Sequence, residues 1–185
     1  MEVPDLGNRR IESIRQREMC VSDNWKAIVS QQGPGVYRIA WRILGNADDA
    51  DEVVQDVFLQ AYQYESRNDV SNGVGLLKRL AVCRSLDRLR RRRADSGLDG
   101  LALFDRESGP QEHAIGNELE TRLRTTIGQL PEREAEVFCL RYFDELTNQQ
   151  IAEALGLSSE AVATAMYKAR TKLANMLADL NEGVA

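Results

Sequence analysis

LTNQQIAEALGLSSEAVATAMYKARTKL, residues 146–173, has the pattern of two short helices folded around one glycine. Thr147 and Gln150 have the spacing of a capping box, which satisfies two backbone N–H groups at a helix start. Ile151, Ala152 and Leu155 then share one face, Gly156 stops the helix, and Ser158 or Ser159 starts another. In that second helix Val162, Met166, Ala169 and Leu173 recur at helical spacing. Helix, tight turn and helix, with small residues at the crossing, make a helix-turn-helix. Such a unit lays its second helix in the DNA major groove, leading with its N-terminal residues. The outward positions are Ser159, Glu160, Ala163, Thr164, Tyr167 and Lys168, with Arg170 and Lys172 just beyond. Glu160 has the chemistry to accept from cytosine N4, and Thr164 to meet a thymine methyl group. A helical hairpin packed only within the protein has the same pattern, so this stretch alone leaves both readings open.

Upstream, the chain alternates helical stripes with stops. In LPEREAEVFCLRYF (130–143), Pro131 suits a first helical position and glutamates fill the first turn. A helix over about 117–128 leads into it. Residues 94–117 carry Gly, Ser, Pro and acidic side chains with no helical period and read as a linker. Before it, a long helix over about 76–93 turns Leu77, Leu80, Ala81, Leu86 and Leu89 inward. The segment NADDADEVVQDVFLQAYQY (46–64) takes Asn46 as its N-cap and has Asp48 and Asp49 in its first turn. Its apolar stripe is Ala50, Val53, Val54, Val57, Phe58 and Ala61, and its polar face holds Asp51, Glu52, Gln55, Asp56 and Gln60. VYRIAWRILG (36–45) buries Val36, Ile39, Ala40, Ile43 and Leu44, stops at Gly45, and is expected to place Trp41 in the core. NWKAIVSQQ (24–32) reads as a short helix ended at Gly33-Pro34-Gly35, and residues 1–23 as a polar extension, loosely helical at most. The expected fold is all-α: two small helical domains joined by a flexible acidic linker, the second a helix-turn-helix domain. Their limits fall at 24–93 and 118–180.

Charge is concentrated. The chain has 185 residues and a formal net charge of −5. Residues 76–93 nevertheless hold eight Lys or Arg against one Asp, while every other segment is net acidic. In LDRLRRRRAD (86–95), Asp87 is placed to pair with an arginine three or four positions away. One basic island in an acidic chain is the pattern of a local polyanion site. No run of 18 apolar residues occurs, so no membrane insertion is expected, and the start of the sequence lacks a signal-peptide core. These features point to the cytoplasm. Cys20, Cys83 and Cys139 are unpaired in spacing and His113 is the only histidine, so neither a disulfide framework nor a metal site is expected. No cofactor, small-molecule substrate or catalytic constellation is indicated, and the chain is not expected to be an enzyme.

Three stretches, RILGNADDADEVVQDVFLQAY, RLAVCRSLDRLRRRR and LPEREAEVFCLRYFDELTNQQIAEALGLSSEAVATAMYKARTKL, resemble in order and spacing those of extracytoplasmic-function sigma factors. These are dissociable subunits of bacterial RNA polymerase. The resemblance covers roughly residues 24–178. It implies a first domain (region 2, 24–93) that binds the polymerase clamp and opens the −10 promoter element. It implies a second (region 4, 118–180) that reads the −35 element, and an anti-sigma partner that masks both.

Carried over by position, Asp51, Glu52, Gln55, Asp56 and Leu59 fall on the clamp-binding face. Lys78, Arg79, Arg84, Arg88, Arg90, Arg91, Arg92 and Arg93 fall on the −10 region, where they would neutralise phosphates. Ser159, Glu160, Ala163, Thr164, Tyr167, Lys168, Arg170 and Lys172 fall on the −35 region. The loop from Ser66 to Gly75 would capture an unstacked −10 base, with Asn68, Ser71 and Asn72 as its candidates. The linker acids Asp95, Asp99, Asp105 and Glu107 would suit a basic polymerase channel. Leu76 stands where the family commonly has tryptophan, Cys83 where it has asparagine, and Ala163 and Ala165 where it often has Lys and Arg. Two other readings stay open here: a stand-alone helix-turn-helix regulator, and a degenerate sigma relative acting only through protein contacts.

Overall fold

A computed structural model describes the backbone of residues 6–68, 70, 72–95 and 112–182, and side chains over 25–68, 70, 72–94 and 119–178. Every regular element among the described residues is an α-helix: α1 (Leu6–Leu44), α2 (Ala47–Glu65), α3 (Gly73–Asp95), α4 (Glu112–Gln129), α5 (Glu132–Tyr142), α6 (Asn148–Leu155) and α7 (Ser159–Glu182). The middle of the expected linker, with Asp99, Asp105 and Glu107, lies outside the described residues, as does Ser71.

The chain divides into two compact units, Met1–Pro34 and Gly35–Ala185. The first is helical from Leu6 onward, where the sequence led us to expect at most a loose helix. The expected stop at Gly33-Pro34-Gly35 is corrected as well, because α1 runs through it with Pro34 inside. Proline there removes one i→i−4 hydrogen bond. A Cβ added at Gly33 or Gly35 would meet nothing within 4 Å, so no close approach requires glycine at either position.

In the second unit the α1 stripe is buried as its period requires: Val36, Ile39, Ala40, Ile43 and Leu44 are each at most 2% exposed. Trp41 is 45% exposed, against expectation. At about 100° per residue it falls well outside the arc that the stripe occupies. Gly45, at φ 66, ends the helix in the left-handed region open to glycine. Asn46 accepts from the Asp49 N–H and caps α2. Ala50, Val53, Val57, Phe58 and Ala61 then pack inward, with Val54 half-buried beside them.

Helix α3 starts at Gly73, three residues before its expected first turn, because Asn72 Oδ1 accepts from the Gly75 N–H at 2.8 Å. Its buried residues Leu77, Ala81, Val82, Leu86 and Leu89 face α2 on one side and α4, α5 and α6 on the other. Pro131 proves to be the residue before α5 rather than its first, at φ −53 and ψ 145. Helix α5 is the centre of the second block, with all residues from Glu134 to Leu140 buried. Its two buried carboxylates are paired. Glu134 takes Lys172 Nζ at 2.9 Å, and Glu136 takes Arg133 Nη1 at 3.0 Å.

Candidate nucleic-acid interface

The helix-turn-helix is formed as its sequence requires. Gln150 N–H donates to Thr147 Oγ1 at 3.3 Å, and the Gln150 side chain accepts from the Thr147 N–H at 2.9 Å. Gly156 adopts φ 65, a left-handed conformation that costs a residue with a Cβ about 1 kcal/mol or more. Ser158 then caps α7, accepting from the Ala161 N–H at 3.1 Å. Val162, Ala169 and Leu173 are buried and Met166 is half-buried. Ala165 is 7% exposed, so a long basic side chain at this position would have to leave the core.

Ser159, Glu160, Ala163, Thr164, Tyr167, Lys168 and Arg170 form one exposed face of α7, and Tyr167 is its most prominent member at 73% exposure. Glu160 is held below the usual carboxylate range by hydrogen bonds from its own backbone N–H and from Ser158. Lys172 is different: it is half-buried and paired with Glu134, so it braces α7 against α5.

The acidic face of α2 is equally well formed. Asp51, Glu52, Gln55, Asp56 and Leu59 are all exposed, with Leu59 at 58%. Tyr62 and Tyr64, which the sequence did not single out, continue this exposed surface toward the end of the helix.

The basic run on α3 is split by its surroundings. Arg88 Nε donates to Asp49 Oδ1 at 2.7 Å, and Arg88 Nη2 lies 2.5 Å from Glu52 Oε2. Arg92 pairs with the other oxygen of Asp49. Arg84 donates to Gln60 at 2.9 Å and stands 3.9 Å from Asp87, its partner three positions along. Arg90 donates to the carbonyls of Gly128 and Leu130 at 3.4 and 3.1 Å, a cation at the C-terminal end of α4 where the helix dipole is negative. Lys78 pairs with Asp144 at 2.7 Å. Arg79, Arg91 and Arg93 are the exposed members of the run. Lys78, Arg84, Arg88, Arg90 and Arg92, expected from the sequence to neutralise phosphates, therefore have partners within the protein.

Between the α2–α3 loop and α6 lies a cavity of ≈ 200 Å³, lined by Tyr64, Val70, Asn72, Gly75, Leu76, Arg79, Glu153 and Ala154. Tyr64 supplies an aromatic face and Arg79 a cation, the two ingredients that hold an unstacked base. Of the loop residues expected here, Asn72 lines the cavity while its Oδ1 caps α3, and Asn68 donates to the Tyr64 carbonyl at 2.9 Å. Tyr64 could have been found from its place one turn before the loop.

Cys83 and Cys139 are free thiols. Burial pushes the Cys83 thiol up to about 12, helped by its 2.9 Å hydrogen bond to Glu136 and by that carboxylate's charge, and burial raises Cys139 too. No group of three or more His, Cys, Asp or Glu among the described residues is placed to hold a metal ion. No helix among them is long and apolar enough to cross a membrane.

An exposed helix-turn-helix face, an acidic face on α2 and a basic helix beside a cavity of ≈ 200 Å³ are the features of a helical DNA-binding protein. Family models agree block by block: residues 28–94 match Sigma-70 region 2, and 120–173 match Sigma-70, region 4. The chain is 26% identical to the ECF RNA polymerase sigma factor SigW of Bacillus subtilis, over 93% of this chain and 97% of that one. It is 30% identical to the ferric citrate uptake sigma factor FecI of Escherichia coli, over 69% and 76%. Two solved structures share the fold. One is CnrH in complex with the cytosolic domain of CnrY (TM-score 0.56, 24% identity, 85% and 90% covered). The other is the sigma factor RpoE with the anti-sigma factor NepR from Bartonella quintana (TM-score 0.52, 18% identity, 83% and 96% covered). The chain belongs to the sigma-70 family, in its extracytoplasmic-function branch, and is an RNA polymerase sigma factor. Core polymerase and promoter DNA are its partners.

Proposed function

We propose the following division of labour for promoter-specific initiation, with residues 24–93 acting as region 2 and 118–180 as region 4. Asp51, Glu52, Gln55, Asp56 and Leu59 dock α2 on a basic surface of the polymerase clamp. Arg79, Arg91 and Arg93 meet promoter phosphates at the −10 element, and the cavity beside Tyr64 and Asn72 receives an unstacked base. Ser159, Glu160, Ala163, Thr164, Tyr167 and Lys168 read the −35 element, with Arg170 on the flanking phosphate. The chain makes and breaks no bond itself, works in the cytoplasm, and is held in reserve by an anti-sigma protein.

The observation that carries this reading is the partition of α3. Its arginines facing α2 and the end of α4 are consumed by Asp49, Glu52 and the Gly128 and Leu130 carbonyls, while Arg79, Arg91 and Arg93 are exposed. Transcription in vitro with purified core polymerase on a genomic promoter library tests it. Arg91→Ala with Arg93→Ala should weaken initiation on all responsive promoters alike, because phosphate contacts are blind to sequence. A changed choice of promoter would refute the phosphate role.

A further inference from the structure

Helix α3 turns four of its arginines toward α2. Arg84, Arg88, Arg91 and Arg92 stand at i, i+4, i+7 and i+8, which at about 100° per residue places them within one arc of the helix. Arg90 and Arg93 fall outside that arc. Between the two helices the four arginines line a cavity of ≈ 240 Å³, together with Val53 and Asp56 of α2 and with Asp87. Val53 is its single apolar lining residue.

The carboxylates that hold these arginines stand outside the cavity. Asp49, buried at the start of α2, takes Arg88 Nε at 2.7 Å and pairs with Arg92, and Glu52 lies 2.5 Å from Arg88 Nη2. Neither acid is a lining residue. Arg84 is fixed by Gln60 at 2.9 Å. Arg91 is exposed and has no carboxylate partner among the described residues. A guanidinium presents more N–H donors than one carboxylate takes, so bonds along one edge fix the group and leave the others for a ligand. Within the cavity four guanidinium groups stand against two carboxylates, Asp56 and Asp87. Asp56 is exposed and Asp87 is half-exposed, so water and salt screen both.

We propose that this cleft is a binding site for a small polyphosphate, either pyrophosphate itself or the linked phosphates of a nucleotide, held by Arg84, Arg88, Arg91 and Arg92. Size and chemistry select that class. Pockets for whole drug-sized ligands run to about 300–1,000 Å³, so this one takes a phosphate chain and leaves any base and sugar in solvent. Guanidinium forks match phosphate oxygens two at a time. Four of them in one arc suit linked phosphates, which concentrate the charge that a nucleic-acid backbone spreads along its strand. Arg91 is also one of the cations assigned above to −10 phosphates, so an occupied cleft competes with promoter DNA there. The site itself does not depend on that assignment.

Isothermal titration calorimetry of the full chain with sodium pyrophosphate, at physiological salt, tests the site. Binding should saturate at one pyrophosphate per chain and be at least about tenfold tighter than binding of orthophosphate. Arg91→Ala and Arg84→Ala should each weaken it at least about fivefold, as loss of a charge-assisted hydrogen bond requires. Arg91→Lys keeps the charge but loses the fork, and should still weaken it about threefold. Arg93→Ala removes the same charge outside the cavity and should leave the affinity within about twofold. Arg91 and Arg93 are both exposed, so their variants decide the matter even if Arg84→Ala fails to fold. Heats that do not saturate overturn the proposal, and so does an Arg93→Ala loss equal to that of Arg91→Ala. A labelled oligonucleotide single strand, followed by anisotropy, separates the two sources of phosphate. Strand binding that needs Arg84 and Arg91, with no pyrophosphate binding, gives the cleft to nucleic acid alone and refutes the polyphosphate site. Pyrophosphate binding that fails to displace the strand upholds the site and refutes the role of Arg91 on DNA.

Discussion

Arg88 and Arg91 lie three positions apart on α3 and are chemically identical, yet the structure gives them opposite surroundings, one ion-paired and one exposed. Arg88→Ala removes both the 2.7 Å contact to Asp49 and the 2.5 Å contact to Glu52. Glu52 is 59% exposed and returns to water at little cost, whereas the Asp49 side chain is 6% exposed and keeps only Arg92. Stripping one partner from a buried pair costs about 3–5 kcal/mol. With a second arginine still in place and Arg88 itself partly solvated, about 2 kcal/mol is the expected loss. For a unit of this size that is a fall in Tm of about 4–8 °C. Arg91 is exposed, and Arg91→Ala should stay within about 0.5 kcal/mol. Its effect belongs to DNA: the slope of log K against log salt should drop by about 0.7–0.9. Differential scanning calorimetry gives the first comparison and anisotropy titrations across salt give the second. If both variants melt alike, Asp49 does not organise α3 and the division of the arginines fails.

Three further outcomes are expected. In the native protein Cys83 should resist iodoacetamide at pH 8, since a rise from 9 to about 12 lowers its thiolate fraction about 1,000-fold; rapid labelling would place Cys83 in an open contact. The raised value means that this thiol's contribution to stability is intact below about pH 9 and is lost as pH climbs toward 12, so Cys83→Ala should flatten the alkaline fall in Tm. Asp56→Arg should reduce binding to core polymerase at least about tenfold in sedimentation assays while leaving the melting curve unchanged, and undiminished binding would move the docking face elsewhere. Gly156→Ala should cost about 1 kcal/mol through backbone strain alone, because a Cβ there meets nothing within 4 Å; an unchanged Tm would remove the left-handed turn from the helix-turn-helix.

Short-range order was legible wherever the physics is local. The Thr147–Gln150 box, the Asn46 cap, the glycine stops at 45 and 156 and the stripes of α2 and α7 each depend on neighbours within one or two helical turns. The exposed faces of α2 and α7 followed from those stripes, because fixing the buried arc fixes the opposite one. Continuity through Pro34 was not legible, since proline removes one hydrogen bond and lowers helix stability without by itself ending a helix. Trp41 was misplaced because its size argued for burial while its register argued against it.

What the sequence determined by itself is therefore the all-α class, the caps of α2 and α6 and the presence of a single basic island. Only the tertiary structure decided which of that island's charges meet solvent. Arg88 and Asp49 are 39 residues apart, Arg90 and Leu130 are 40, and Lys172 and Glu134 are 38. Over such separations no periodicity reports a contact. Coulomb attraction depends on distance and burial in space, and the packing of α3 among its neighbours sets both.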